Sequence, residues 1–275
     1  MILDLRKNMS SSPLLSVRNL SKTFYNRDNF VRAVDGVSLD VFQDRTLGLV
    51  GESGSGKTSL AKLILRLEKP DAGEILFQGV DLLKLNRKEM MDVRMELQVI
   101  FQDPYGSLNP RMTAQEVIME PLEIFMKNLS FHEKRQRVLN LMELVGLDPN
   151  FSQRLPHEFS GGQRQRISIA RALALHPRLI ICDEPIAALD VSIQSQIINL
   201  LKRLKSELGL NYLFISHDLA MVKYLCDDLA VMHFGKIVEH GDSEIIYSNP
   251  RHIYTKTLLS SVPKLMGQPA LPQAL

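Results

Sequence analysis

Apolar and polar residues alternate over residues 14–20, which predicts a half-buried strand; residues 31–41 repeat the pattern after a polar turn at 26–29. A short apolar run, 47–50, stops at a glycine-rich stretch. Beyond it Leu60, Leu63, Ile64 and Leu67 share one face of a helix that starts near Lys57. Residues 70–73 (Pro-Asp-Ala-Gly) compose a turn, and 74–77 and 98–101 read as strands. From about 103 to 165 the period becomes helical, with Val138, Leu141, Met142 and Val145 at i, i+3, i+4 and i+7. Strand patterns return at 179–182 and 212–216, and Ile193, Ile197, Leu200, Leu204 and Leu208 mark an amphipathic helix between them. Strands alternating with helices predict an α/β fold with a largely parallel sheet.

Composition narrows the partners. Of 275 residues, 45% are hydrophobic and 23% charged, which excludes intrinsic disorder, collagen-like repeats and a disulfide scaffold. A net charge of +2 leaves no global basic signature of a nucleic-acid binder. No apolar run approaches the roughly 18 residues of a spanning helix. Residues 1–13 lack the apolar core of a secretory signal. Two cysteines point to a reducing compartment, with Cys182 a buried structural thiol inside its apolar strand.

The chemistry concentrates at three places. Gly51-Glu-Ser53-Gly54-Ser55-Gly56-Lys57-Thr58 matches G-x-x-x-x-G-K-[ST] and lies between an apolar strand and a helix, the context this phosphate-binding loop requires. Its glycines let successive N–H groups converge on one phosphate, the helix start adds partial positive charge, Lys57 supplies a cation and Thr58 a hydroxyl for Mg²⁺. Ser59 extends the same helix start. Second, the apolar strand 179–182 ends in Asp183-Glu184. Asp183 is placed for a metal and Glu184, pointing elsewhere, for general-base work on water. Third, Phe159-Ser160-Gly161-Gly162-Gln163 opens a helix with free N–H groups, a second anion-binding end; taken by itself a capped helix start is the better reading of it.

Taken in order, the phosphate loop, Gln102 after a strand, FSGGQ, ICDE, Ala187–Asp190 and His217 resemble the nucleotide-binding subunit of an ABC transporter, with Phe159 where the family's LSGGQ has leucine. The resemblance spans about residues 14–260. It implies a P-loop NTPase core with a parallel sheet, an antiparallel β subdomain and a helical signature subdomain. One domain would cover 1–275: a core lobe of 14–102 and 166–248, a helical lobe of 103–165 and a tail of 249–275. It also implies ATP and Mg²⁺ as ligands and a head-to-tail dimer, with itself or with a sister ATPase, in which Lys57 of one protomer and Ser160 of the other grip one γ-phosphate. The remaining roles it implies are Gln102 as sensor of Mg²⁺ and water, Asp190 at the dimer seam and also a helix N-cap, His217 at the γ-phosphate, and Phe24 on adenine with Tyr25 as rival.

Segments 33–38, 100–110, 188–194 and 249–259 are similar to the oligopeptide and dipeptide importer group, which includes nickel importers; Ile253 stands where that group usually has proline. The resemblance implies permease subunits in the membrane, a substrate-binding protein acting through them, a place on the cytoplasmic face of the membrane, and no nucleic-acid partner. Many members carry a cysteine-rich C-terminal stretch; Cys182 and Cys226 do not supply one, so no iron–sulfur cluster is expected. A soluble ABC-type ATPase of DNA repair or translation is the rival class; it adds a coiled-coil insert or a second cassette, and neither is visible. Glu133, Lys134, Arg135, Arg137, Asp227 and Asp228 read as solvated, and the histidines other than His217 show no metal spacing.

Overall fold

The computed structural model describes residues 12–26 and 29–260. Two sheets organise them. The first is antiparallel, in the order β2-β1-β4-β5, from β1 (Leu15–Asn26), β2 (Asn29–Val41), β4 (Ala72–Phe77) and β5 (Val80–Asp81). The second has the order β10-β9-β3-β8-β7-β6, from β3 (Thr46–Val50), β6 (Leu97–Ile100), β7 (Leu179–Asp183), β8 (Asn211–Ser216), β9 (Asp228–His233) and β10 (Lys236–Asp242). It is parallel from β6 to β9, and only β10 pairs antiparallel, on the edge. The helices are α1 (Lys57–Ile64), α2 (Arg87–Glu96), α3 (Pro104–Ser107), α4 (Ala114–Phe125), α5 (Phe131–Leu144), α6 (Gly161–Leu173), α7 (Val191–Leu208), α8 (Leu219–Leu225), α9 (Ser243–Ser248) and α10 (Ile253–Ser260).

The central strands are continuous apolar runs because both faces of the parallel sheet are covered. Side chains alternate between two cores. Leu49, Ile181, Leu213 and Ile215 pack with Leu60, Leu63 and Ile64 of α1 and with Leu15 and Val17 of the antiparallel sheet. Val50, Ile180, Cys182, Tyr212 and Phe214 pack with the helices of the opposite face. Ile181, fully buried at the centre of this register against Val99 and Leu213, makes a test of the packing. Ile181→Ala is expected to cost about 2–5 kcal/mol, read as a shift in denaturant midpoint.

Several local expectations shift. Helix α1 stops at Ile64, so Leu67 leaves the apolar face and is 54% exposed; the chain reverses there because Arg66 turns left-handed and Leu67 N–H bonds to the Lys62 carbonyl. The turn at 70–73 is shorter than expected, since Ala72 and Gly73 already belong to β4, with Gly73 close under the Arg18 and Asn19 carbonyls. Phe101 lies beyond β6, and Leu208 ends α7 half-exposed beside the left-handed cap Gly209. Asp227 and Asp228 are not merely solvated. Asp227 takes the Thr46 N–H (2.7 Å) and the Lys205 amine (2.6 Å), and Asp228 takes a forked pair from Arg45 (2.6 Å each), which ties both to the start of β3 and Asp227 also to α7. Arg137 buries its Nε and Nη2, and Glu133 completes a capping box with Ser130. Helix α6 runs unbroken across residue 165, where a lobe boundary was expected, and α10 lies inside the expected tail. The polar turn at 27–28 and the loose stretch 267–275 fall outside the described residues.

Candidate functional site

The phosphate loop leaves the C-terminal end of β3, where the flanking strands β8 and β9 also end. Two of its glycines are required by their surroundings. A side chain at Gly51 would collide with the Met232 carbonyl, and one at Gly56 with the Ala33 carbonyl, while Gly56 also holds a φ of 109°. The loop is braced by backbone bonds, Gly235 N–H to the Ser55 carbonyl (2.9 Å) and Asp35 N–H to the Gly235 carbonyl (2.8 Å). Ser55 Oγ is buried without a hydrogen-bond partner among the described residues. Lys57 is only 4% exposed, and its amine donates to the Gly51 and Glu52 carbonyls at 2.8 and 2.9 Å. Burial lowers its pKa, with Glu184 and Asp183 pulling the other way. An ammonium so desolvated, at the start of a helix and bonded to two carbonyls, has the chemistry of an anion-binding group.

The acidic strand end faces this loop. Thr58 Oγ1 donates to Asp183 Oδ1 at 3.1 Å, which places a hydroxyl and a carboxylate oxygen side by side. Burial raises the Asp183 pKa; the Thr58 bond opposes it, Glu184 adds to it, and Lys57 opposes it. Next along the chain, Glu184 has a φ of 49° and gives its N–H to the Ile215 carbonyl of β8 (3.0 Å), which turns its side chain away from that of Asp183. The Glu184 Oε2 atom is where three predicted residues meet. Gln102 Nε2 donates to it at 3.1 Å and His217 Nδ1 lies 3.2 Å away, with the carboxylate 13% exposed and the imidazole 59%. The parallel order β6-β7-β8 explains the meeting, because Gln102, Glu184 and His217 each follow the C-terminal end of one of three adjacent strands.

The other predicted residues lie apart from that cluster. Ser160 is the N-cap of α6. Its Oγ accepts the Gln163 N–H, and Gln163 Oε1 accepts the Ser160 N–H, so a capping box meets these two N–H groups of the helix start. Gly161 and Gly162 sit against Leu189 and Ile193, and a side chain at Gly162 would lie 2.5 Å from Ile193 Cγ2. The glycines of the FSGGQ segment therefore pack against Leu189 and the first turn of α7. Asp190 stands at the N-cap position of α7 as expected, but its side chain makes no cap bond and its carboxylate stays exposed. Phe24 is partly covered by the Lys22 amine, 5.5 Å from the ring centroid, whereas Tyr25 is 83% exposed. Ser53 and Gly54 are exposed and Ser59 half-buried on the first turn of α1. Sequence reasoning missed Tyr254 and His233. Tyr254 Oη accepts the Glu52 N–H at 3.0 Å, and its ring stacks on His233 at 3.7 Å. No local pattern signals a contact between residues 52 and 254.

With this geometry in hand, comparison with known proteins finds that residues 34–187 match the family model described as ABC transporter. The chain belongs to the ABC transporter family. As a cassette of that family it binds and hydrolyses ATP. The cassette is 51% identical to the oligopeptide transport ATP-binding protein OppF of Bacillus subtilis, over 91% of this chain and 82% of that one. It is 50% identical to a putative peptide import ATP-binding protein of Brucella ovis, over 93% and 80%. Among solved structures it is similar to a dimeric ATP-binding cassette in a post-hydrolysis state bound to ADP and Pi, with a TM-score of 0.76, 29% identity and coverage of 83% and 98%. It is similar as well to cbiO1 of Clostridium perfringens, part of the ABC transporter complex cbiONQ (TM-score 0.75, 29% identity, coverage of 87% and 92%). Among the described residues of the ABC cassette, no helix is long and apolar enough to cross a membrane.

Proposed function

We propose that the cassette hydrolyses ATP to drive an importer of oligopeptides, with Glu184 as the general base. The observation that carries the chemical part is the convergence of Gln102 and His217 on one oxygen of Glu184, beside Lys57 and Asp183. In this reading the loop N–H groups and Lys57 hold the β- and γ-phosphates, Gln102 and His217 orient the Glu184 carboxylate, and Glu184 takes a proton from the attacking water. Phosphoryl transfer needs mainly positioning and charge stabilisation, which buried donors in a rigid loop supply. Thr58 and Asp183 would hold Mg²⁺; an all-oxygen donor pair suits a hard cation that keeps waters and phosphate oxygens as its other ligands. Bound there, the ion would neutralise charge on the phosphates.

The self-capped Ser160 supports a dimer reading. A signature helix whose glycines pack against the start of α7 has a use once a second cassette supplies the opposing loop. Phe24 would then lie on adenine, and Asp190 at the seam. Permease subunits in the membrane are the proposed partners, with the cassette peripheral on the cytoplasmic face and a substrate-binding protein acting through them. A groove of about 320 Å³ beside Phe101, lined by Leu67, Ile124 and Phe125, supports a docking place for them next to Gln102.

The cargo rests on the names of the relatives. The test is uptake of labelled oligopeptides and of nickel in cells lacking this chain. Peptide uptake is expected to fall and to return with the wild-type chain but not with Glu184→Gln. Undiminished peptide uptake overturns the peptide reading, and a loss confined to nickel replaces it.

A further inference from the structure

The phosphate loop is tied to the far end of the chain, 202 residues on, and the tie falls on the peptide that Lys57 uses. Glu52 N–H donates to Tyr254 Oη at 3.0 Å, while the Glu52 and Gly51 carbonyls accept from the Lys57 amine. The same short stretch is therefore held from both sides. Tyr254 is 9% exposed and cannot swing freely, because its ring stacks on His233 at 3.7 Å with planes 16° apart. His233 ends β9, directly after Met232, whose carbonyl closes over Gly51. The helix that carries Tyr254 is anchored in turn. Glu239 of β10 accepts the Arg251 and His252 N–H groups at 2.8 and 3.0 Å, and His252 Nδ1 accepts the Tyr254 N–H at 3.2 Å. Burial pushes the Glu239 pKa up, but the Thr255 side chain, together with the Arg251 and His252 N–H groups, holds it below its ordinary value. The route runs from Glu239 through the start of α10 to Tyr254 and then to Glu52.

We propose that Tyr254 is a positioning residue for ATP binding: through its hydroxyl, α10 fixes the Gly51–Glu52 stretch, so that Lys57 and the loop N–H groups are arranged for phosphate before the nucleotide arrives. Preorganisation of this kind favours binding more than the chemical step. The residue acts on the loop, through the Glu52 N–H, rather than on the reacting groups. This inference rests on the ATPase reading above and adds an input to it from outside the loop, the acidic strand end and His217.

The test uses the full-length chain. Tyr254→Phe keeps the ring and its stacking and removes one neutral hydrogen bond. It is expected to weaken ATP binding by calorimetry, and to raise KM for ATP, by about threefold to tenfold, the net worth of such a bond. The kcat is expected to hold within about twofold, since the change is in preorganisation and not in the base, and the melting temperature to fall by no more than about 4 °C, the stability worth of one hydrogen bond. Tyr247→Phe, which removes a comparable hydroxyl bond to the Leu219 carbonyl away from the loop, serves as control and leaves KM unchanged. Glu239→Ala is expected to weaken ATP binding as well, and the double variant to be no worse than the more severe single one, as for two residues on one route. An unchanged ATP affinity in Tyr254→Phe, or a fall in melting temperature with proportionate loss of activity and no change in KM, overturns the proposal. A wild-type chain that binds no ATP overturns the functional reading and this inference with it; normal wild-type binding with an unaffected Tyr254→Phe overturns the inference alone.

Discussion

Glu184→Gln is expected to bind ATP within a few-fold of wild type and to lose at least about 100-fold in turnover, the lower end of what a positioned base contributes. The substitution keeps the length of the side chain and its contact distances to Gln102 and His217. What disappears is the proton acceptor. The carboxylate is nearly closed off, so bulk water does not replace it easily, and its two polar neighbours hold one oxygen in place. Steady-state phosphate release, measured alongside nucleotide binding on the same preparation, separates the two effects. Undiminished hydrolysis would remove Glu184 from the base role and leave Gln102 and His217 without the centre on which they converge.

Lys57→Ala is expected to act on the other half of the reaction, weakening ATP binding by about 10- to 100-fold, as loss of a charged hydrogen-bond donor does. Calorimetric titration checks it. The substitution also has an opposite effect on the empty chain. Because burial lowers the Lys57 pKa, the folded state holds this proton less firmly than the unfolded state does, so the lysine makes the fold less stable at neutral pH, and stability recovers as pH rises through the folded pKa toward the ordinary lysine value. Removing it relieves that desolvation while leaving the Gly51 and Glu52 carbonyls without their donor. The melting temperature without nucleotide is therefore expected to change little, even as ligand-induced stabilisation vanishes. A large loss of stability in the empty chain would instead make Lys57 chiefly a structural residue.

Much of this site was legible because its parts are local. The run 47–50, the glycines after it and Lys57 lie within one strand–loop–helix unit, and the apolar strand before Asp183 announces its own end. Which side chains meet is a different matter. Gln102, Glu184 and His217 are spread over more than a hundred residues, and only the order β6-β7-β8 makes them neighbours. The acidic end of an apolar strand pointed to Glu184, while only the family resemblance named Gln102 and His217; hydrophobic periodicity brought none of the three together. Asp227 and Asp228 were misread for the same reason, since their partners Thr46, Lys205 and Arg45 come from distant segments. Leu67 was misassigned because a helical period does not announce where a left-handed residue, here Arg66, breaks the helix. Tyr254 lay in a segment noticed only for its likeness to a transporter group, and its bond to Glu52 depends on the placement of α10 beside the end of β9.

The backbone at Glu184 carries a consequence for how such a chain can change over time. A side-chain-bearing residue at a φ of 49° sits in a conformation that costs about 1–2 kcal/mol relative to glycine. Glycine there would ease the turn after β7 while abolishing the carboxylate, so stability and activity pull this position in opposite directions. A copy released from the need to hydrolyse ATP is free to drift toward the relaxed residue and keep its fold. A copy that retains glutamate at so uncomfortable an angle is one in which catalysis still decides what survives.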